Sequence, residues 1–141
     1  MEKLTINSKA TLNDGHSMPL LGLGVFQLKD RQECIDAVHA ALDCGYRHID
    51  TAIGYNNEED VGSAIEQSKL DREEIFVTSK IMPAAFVKLP PREAVEQSLR
   101  KLRMPGGRDM LFLPFKDATN GEASYGGGRY LDLELREDGR V

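Results

Sequence analysis

The chain has no tryptophan, two cysteines and only three histidines in 141 residues, and each scarcity narrows the chemistry open to it. Two cysteines cannot build a disulfide framework. Cys34 and Cys44 are expected near the two ends of one helix, about 15 Å apart, too far to bridge. A reducing cytoplasm is the expected compartment. No apolar run approaches the roughly 18 residues of a membrane span. Met1 to Asn7 has neither the basic start nor the apolar stretch of a secretory signal. Positive charge is also short, with 18 Lys and Arg against 23 Asp and Glu and a net charge of −5. That balance argues against a nucleic-acid backbone or an anionic membrane as partner.

What is present is ordinary for a soluble globular protein, at 40% hydrophobic and 29% charged. A chain of this length supports a single core, burying roughly two-thirds of the surface its unfolded form exposes. Lys9 to Leu12 leads into Asn13-Asp14-Gly15-His16, a tight-turn signal that predicts a hairpin. Met18 to Val25 reads as one apolar strand closing on Gly22-Leu23-Gly24. Asp30 is placed to cap a helix with Ile35, Val38, Ala41 and Leu42 on one face, ended by Gly45. Arg47 to Asp50 is a short strand, and Asn57 caps a second helix carrying Val61, Ala64 and Ile65. Asp71 to Glu74 connects to the apolar strand Ile75 to Thr78. Pro90 and Pro91 open a third helix with Ala94, Val95, Leu99 and Leu102. Strands alternating with helices predict βαβ units and a parallel sheet. Beyond Met104 the pattern changes. Pro105-Gly106-Gly107 is a break, Met110 to Leu113 is a further apolar strand, and Leu131 to Leu135 alternates as an antiparallel strand does.

The chemistry is concentrated between Gly45 and Gly62. A strand delivers Asp50 at its C-terminal end, a loop presents Tyr55, and a helix follows. The next strand ends in Thr78-Ser79-Lys80. Strand ends of this kind are where α/β barrels place their reactive groups. Singly each residue has a plain structural reading: the aspartate as a cap, the tyrosine as packing, the lysine as a solvated charge. Together they form an acid device. A lysine cation favours tyrosinate over phenol, an aspartate holds the lysine charged and oriented, and the tyrosine can protonate a carbonyl oxygen as hydride reaches carbon.

In this order and spacing, from about Thr5 to Leu102, the sequence resembles the N-terminal portion of the aldo-keto reductases. The stretch Gly45 to Gly62 fits that family's active-site signature at every specified position. The resemblance implies an NADPH-dependent carbonyl reductase, with Asp50, Tyr55 and Lys80 as catalytic residues. It also implies that Gly22, Gly24, Val25 and Asp50 lie beside the nicotinamide. Cys34, Cys44, His16 and His39 carry no motif and are expected to be structural. His48 is common at its position in the family but is not one of the catalytic four.

The sequence departs from the family in several places. The fourth catalytic residue, a histidine in a Leu-Ile-His-Trp-Pro-like strand, has no counterpart in Met110-Leu111-Phe112-Leu113-Pro114-Phe115-Lys116, and His48 is the last histidine. Met82 stands where a tryptophan is usual. The family's eight βα units are represented by three and a fourth strand, and the half that binds the adenosine phosphate has no counterpart. Residues 109–138 instead resemble part of an uncharacterised bacterial domain family with Phe-Arg-Asp-Ala-Thr and Tyr-Gly-x-Gly-Arg-Tyr-Leu-Asp motifs. The alternative reading of that stretch is a glycine-rich turn region.

The expected fold is therefore α/β: a partial (β/α) barrel-like parallel sheet of three βα units plus a fourth strand, with an antiparallel β tail. Residues 1–104 form the reductase-like part and 105–141 a tail from a different family, packed with the first as one unit. The reading the sequence favours is a truncated or chimeric derivative of an aldo-keto reductase, inactive, its site residues relics. The alternative is a working aldo-keto reductase acting on aldehydes or ketones. NADPH is the cofactor by resemblance, expected not to bind this chain, and no metal is expected. Exposed sheet edges predict a homo-oligomer, segment-swapped or otherwise.

Overall fold

A computed structural model describes residues 3–12, 15–81 and 90–104. The expected strand and turn near Met110 and Gly121, the tail after them, and Met82 lie outside the described residues. Two sheets are formed. Strands β1 (Lys9–Thr11) and β2 (Ser17–Pro19) pair antiparallel, with Ala10 opposite Met18. Strands β3 (Leu23–Gly24), β4 (His48–Asp50) and β5 (Phe76–Thr78) form a parallel sheet in that order. Ile49 sits between Leu23 and Val77 in register, and Asp50 between Gly24 and Thr78. The parallel ladder runs beyond the strand ends, through Val25 N–H to Asp50 O at 3.0 Å and Thr51 N–H to Thr78 O at 2.8 Å.

One expectation is corrected. Met18 to Val25 is not a single strand but two, because its halves pair with different partners: β2 with the hairpin, β3 with the parallel sheet. The chain must turn between them, and Leu20 and Leu21 are left 52% and 44% exposed at the corner.

Helix α1 (Arg31–Asp43) starts and stops on local chemistry. Asp30 accepts the Glu33 N–H at 2.9 Å. At the other end Gly45 adopts φ +94°, with Gly45 N–H on Leu42 O and Tyr46 N–H on Ala41 O. That is the paired closure typical of a left-handed glycine after a helix, where a side chain would be strained. Arg47 adds a guanidinium to the Leu42 and Tyr46 carbonyls, complementing the negative end of the helix. Helices α2 (Glu58–Gln67) and α3 (Pro91–Lys101) complete the layer. Gly62 on α2 lets α3 come close. A Cβ there would lie 2.7 Å from the Leu102 carbonyl carbon and 2.8 Å from the Leu102 and Lys101 oxygens.

The core lies between sheet and helices. Ile49 and Val77 from the strands meet Val38 and Leu42 of α1, Val61 and Ala64 of α2, and Leu102 after α3. Cys34 is buried there and Cys44 is exposed, both unbridged. Burial, reinforced by Asp60 and Glu33, pushes the Cys34 thiol up to about 11. No helix among the described residues is long and apolar enough to cross a membrane.

Candidate active site

Residues alternate across each strand, so Ile49 and Val77 enter the helix layer while His48, Asp50 and Thr78 face the other way. That face, at the C-terminal ends of the strands, collects the residues singled out from the sequence. Lys80 Nζ donates to Asp50 Oδ1 and to the Thr51 carbonyl, the latter at 3.0 Å. The two side chains keep 22% and 31% of their surface exposed, so the pair is wet on one side and accessible. Lys80 Nζ also lies 5.4 Å from the centre of the Tyr55 ring. Tyr55 ends a short 3₁₀ turn (Ile53–Tyr55) that is closed by Asn56 in the left-handed region, φ +57°. Asp50, Tyr55 and Lys80 are thus brought together from three different segments.

The residues expected beside a nicotinamide divide by their surroundings. At Gly24 a Cβ would meet nothing within 4 Å, so the main chain beside Asp50 leaves room for a flat ring. At Gly22 a Cβ would sit 2.9 Å from the His48 ring, so this glycine serves a close approach inside the protein. Val25 is fully buried, its N–H bonded to Asp50 O and its carbonyl to Asn57 Nδ2. Val25 therefore anchors the loop rather than lining open space. An open wall is supplied by Phe26, 60% exposed, whose ring lies 5.0 Å from that of Tyr55. The groups present suit the nicotinamide end of such a cofactor: an exposed apolar ring against Tyr55, a glycine with open space at its Cβ position beside Asp50, and the Asp50–Lys80 pair.

His48 donates from Nδ1 to Pro19 O at 3.1 Å and contacts Thr78 Oγ1 at 2.8 Å through Nε2. A neutral ring protonated on Nδ1 satisfies both partners, an assignment made from the network. Burial holds its imidazole below the usual value of 6.5, against the opposing pull of the Pro19 carbonyl and Asp50, while Lys80 adds to the lowering. It closes the hairpin onto the sheet, with both ring nitrogens engaged by Pro19 and Thr78. His39 bonds the Ala64 carbonyl at 3.0 Å. Among the described residues no group of three His, Cys, Asp or Glu side chains is placed to hold a metal ion.

Sequence reasoning located Asn57 but not its work. It precedes α2 yet makes no capping bond with its side chain. It accepts from Thr51 Oγ1 at 2.8 Å and donates to the Val25 and Leu28 carbonyls at 2.9 and 3.0 Å. Glu58, Ser79 and Ser98 were not singled out at all. Glu58 is 2% exposed and accepts from both serine hydroxyls on Oε1. The only available signal was that Glu58 lies inside the Gly45 to Gly62 stretch, since acids in a helix's first turn are ordinarily solvated.

A parallel βα sheet with an aspartate, a lysine and a tyrosine gathered at its C-terminal rim has the layout of the barrel-type α/β folds. The chain belongs to the aldo/keto reductase family, which residues 20–119 match. It is 47% identical over 93 residues to methylglyoxal reductase DkgA of Escherichia coli K12, covering 66% of this chain and 33% of that protein. To human aldo-keto reductase family 1 member C4 it is 41% identical over 102 residues, covering 68% and 32%. Among solved structures, an aldo/keto reductase from Brucella melitensis matches at 42% identity and a TM-score of 0.59, covering 68% of this chain and 37% of that one. The aldose reductase of Schistosoma japonicum matches at 36% identity and a TM-score of 0.61, covering 69% and 33%. The chain spans about a third of the length of the curated relatives it matches.

Proposed function

We propose that the chain derives from an NADPH-dependent carbonyl reductase and retains the proton-donating part of its site, without completing turnover on its own. The observation that carries this is the Asp50–Lys80 pair set against the Tyr55 ring. Tyr55 delivers a proton to a carbonyl oxygen as negative charge builds there. Lys80, cationic and close to the ring, stabilises the tyrosinate left behind. Asp50 holds Lys80 pointed at the ring, and the Thr51 carbonyl takes a second ammonium proton. Phe26 shields one side of the space from water. NADPH, if bound beside Gly24 and Asp50, would supply hydride to the carbonyl carbon, with Gly22 and Val25 fixing the loop behind them.

What argues against turnover is the missing second donor: Met110 to Lys116, the stretch matching the family's histidine-bearing one, holds no histidine. The same reading takes residues 105–141 as a second unit of the uncharacterised bacterial type, joined to a reductase-like first unit in a cytoplasmic, self-associating chimera; against it, the reductase family match runs on to residue 119. The assay is direct. Purified protein with NADPH and a reactive aldehyde is expected to show no loss of NADPH absorbance above background, and calorimetry no tight NADPH binding. Turnover abolished by Tyr55→Phe would instead establish the alternative, a working aldehyde or ketone reductase. Light scattering that finds a monomer at micromolar concentration would remove self-association from the proposal.

A further inference from the structure

We propose that Glu58 is a positioning residue for Lys80, acting through Ser79; the assignment of Lys80 to proton delivery rests on the function proposed above, but the positioning does not. Burying a carboxylate costs several kcal/mol unless its oxygens are well bonded, and apolar replacements of buried ionic groups are often as stable or more so. Glu58 is 2% exposed, and only one of its oxygens is satisfied: Oε1 takes both serine hydroxyls, while Oε2 has no partner among the described residues. A half-satisfied buried carboxylate is a poor device for stability alone. Its place in the chain gives it another use.

Glu58 opens α2, three residues after Tyr55, and the helix N-terminus favours its charge. Ser79 follows β5 and immediately precedes Lys80. Side chains of neighbouring extended residues point to opposite faces, so Ser79 turns into the protein as Lys80 turns to the rim. The 2.6 Å bond from Ser79 Oγ to Glu58 therefore pins the peptide from which Lys80 departs. On the other side of the Lys80 Cα, its own carbonyl accepts the Ile53 N–H at 3.0 Å. Lys80 is thus located from both sides, by the segment that carries Tyr55 and by the helix that follows it. Ser98 of α3 gives its single hydroxyl proton to the same oxygen of Glu58 and meets the Lys80 segment through a long 3.5 Å contact to Ser79 Oγ, at the limit of a hydrogen bond. That asymmetry makes the idea testable.

The test uses the whole chain and reads Lys80 directly. An amine-acylating reagent is applied under native conditions, and labelling of Lys80 is measured by mass spectrometry against exposed Lys69. Ser79→Ala should raise the Lys80 to Lys69 ratio about fivefold, the weight of one net hydrogen bond. Ser98→Ala, which removes a comparable bond from the same carboxylate, should leave the ratio near that of the parent. Glu58→Gln keeps an acceptor oxygen and should behave like the parent, whereas Glu58→Ala should behave like Ser79→Ala. Equal responses to Ser79→Ala and Ser98→Ala, or no response to either, would overturn the proposal in favour of a general packing role. Because labelling needs no turnover, a changed ratio in a protein that does oxidise NADPH, with turnover abolished by Tyr55→Phe, supports positioning while the function proposed above fails. An unchanged ratio in a protein that leaves NADPH untouched does the reverse.

Discussion

Replacing Gly62 by alanine sets two known effects against each other, and the geometry decides between them. In an exposed helix interior the change is favourable by about 1 kcal/mol, because alanine loses less backbone entropy on folding. At Gly62 the added Cβ would meet the Leu102 carbonyl carbon at 2.7 Å and two carbonyl oxygens at 2.8 Å. These are main-chain atoms at the end of α3, so no side-chain rotation can make room. The helices must separate, and a gap of about 0.5–1 Å forfeits a quarter to a half of each contact along the seam. Overpacking of this kind costs about 1–3 kcal/mol, and immovable backbone places it at the upper end. The net expectation is a loss of about 1–2 kcal/mol after the propensity gain is subtracted. In urea, with a slope of about 1–3 kcal/mol/M, the midpoint should fall by roughly 0.5–1 M at unchanged slope. Trimming Leu102 to alanine in the same protein should not restore it, since the obstruction is not the Leu102 side chain. A Gly62→Ala protein as stable as the parent, or a double variant that recovers, would refute the argument.

Three further outcomes are expected. His48 is held below 6.5, so the folded state prefers the neutral ring; its contribution is complete above 6.5 and is lost as pH falls below it. His48→Gln should flatten the urea-midpoint profile just under that value and leave it unchanged above. Cys34, fully buried and with its thiol pushed up to about 11, should resist iodoacetamide in the native protein while Cys44 reacts, giving one label by mass spectrometry and two after denaturation. Asp30→Ala should cost about 1 kcal/mol by removing the bond to the Glu33 N–H, with Asp30→Ser recovering most of it in thermal or urea unfolding.

What could be read from the sequence was what is decided within a few residues. Asp30 and Gly45 bracket α1 because a cap and a left-handed turn are local events. The grouping of Asp50, Tyr55 and Lys80 was also legible, since the strand-end pattern and the family signature both point to one rim. The break inside Met18 to Val25 was not, because nothing in that apolar run says that its halves serve different sheets. Asn57 was placed correctly and misread, its amide being spent on Thr51, Val25 and Leu28 rather than on its own helix. Glu58 was invisible because its burial depends on serines 21 and 40 residues away, a separation that no window along the chain spans.

The order of the parallel strands, β3-β4-β5, is also their order in the chain, and this bears on how the sheet is made. Each new strand pairs with the one synthesised just before it, across a loop closed by a single helix, so the entropy of closure is nearly the same at every step. Among the described residues no parallel pairing waits for a distant segment. A nascent chain can therefore lay down this sheet from its N-terminal side, the edge of each finished strand serving as the template for the next.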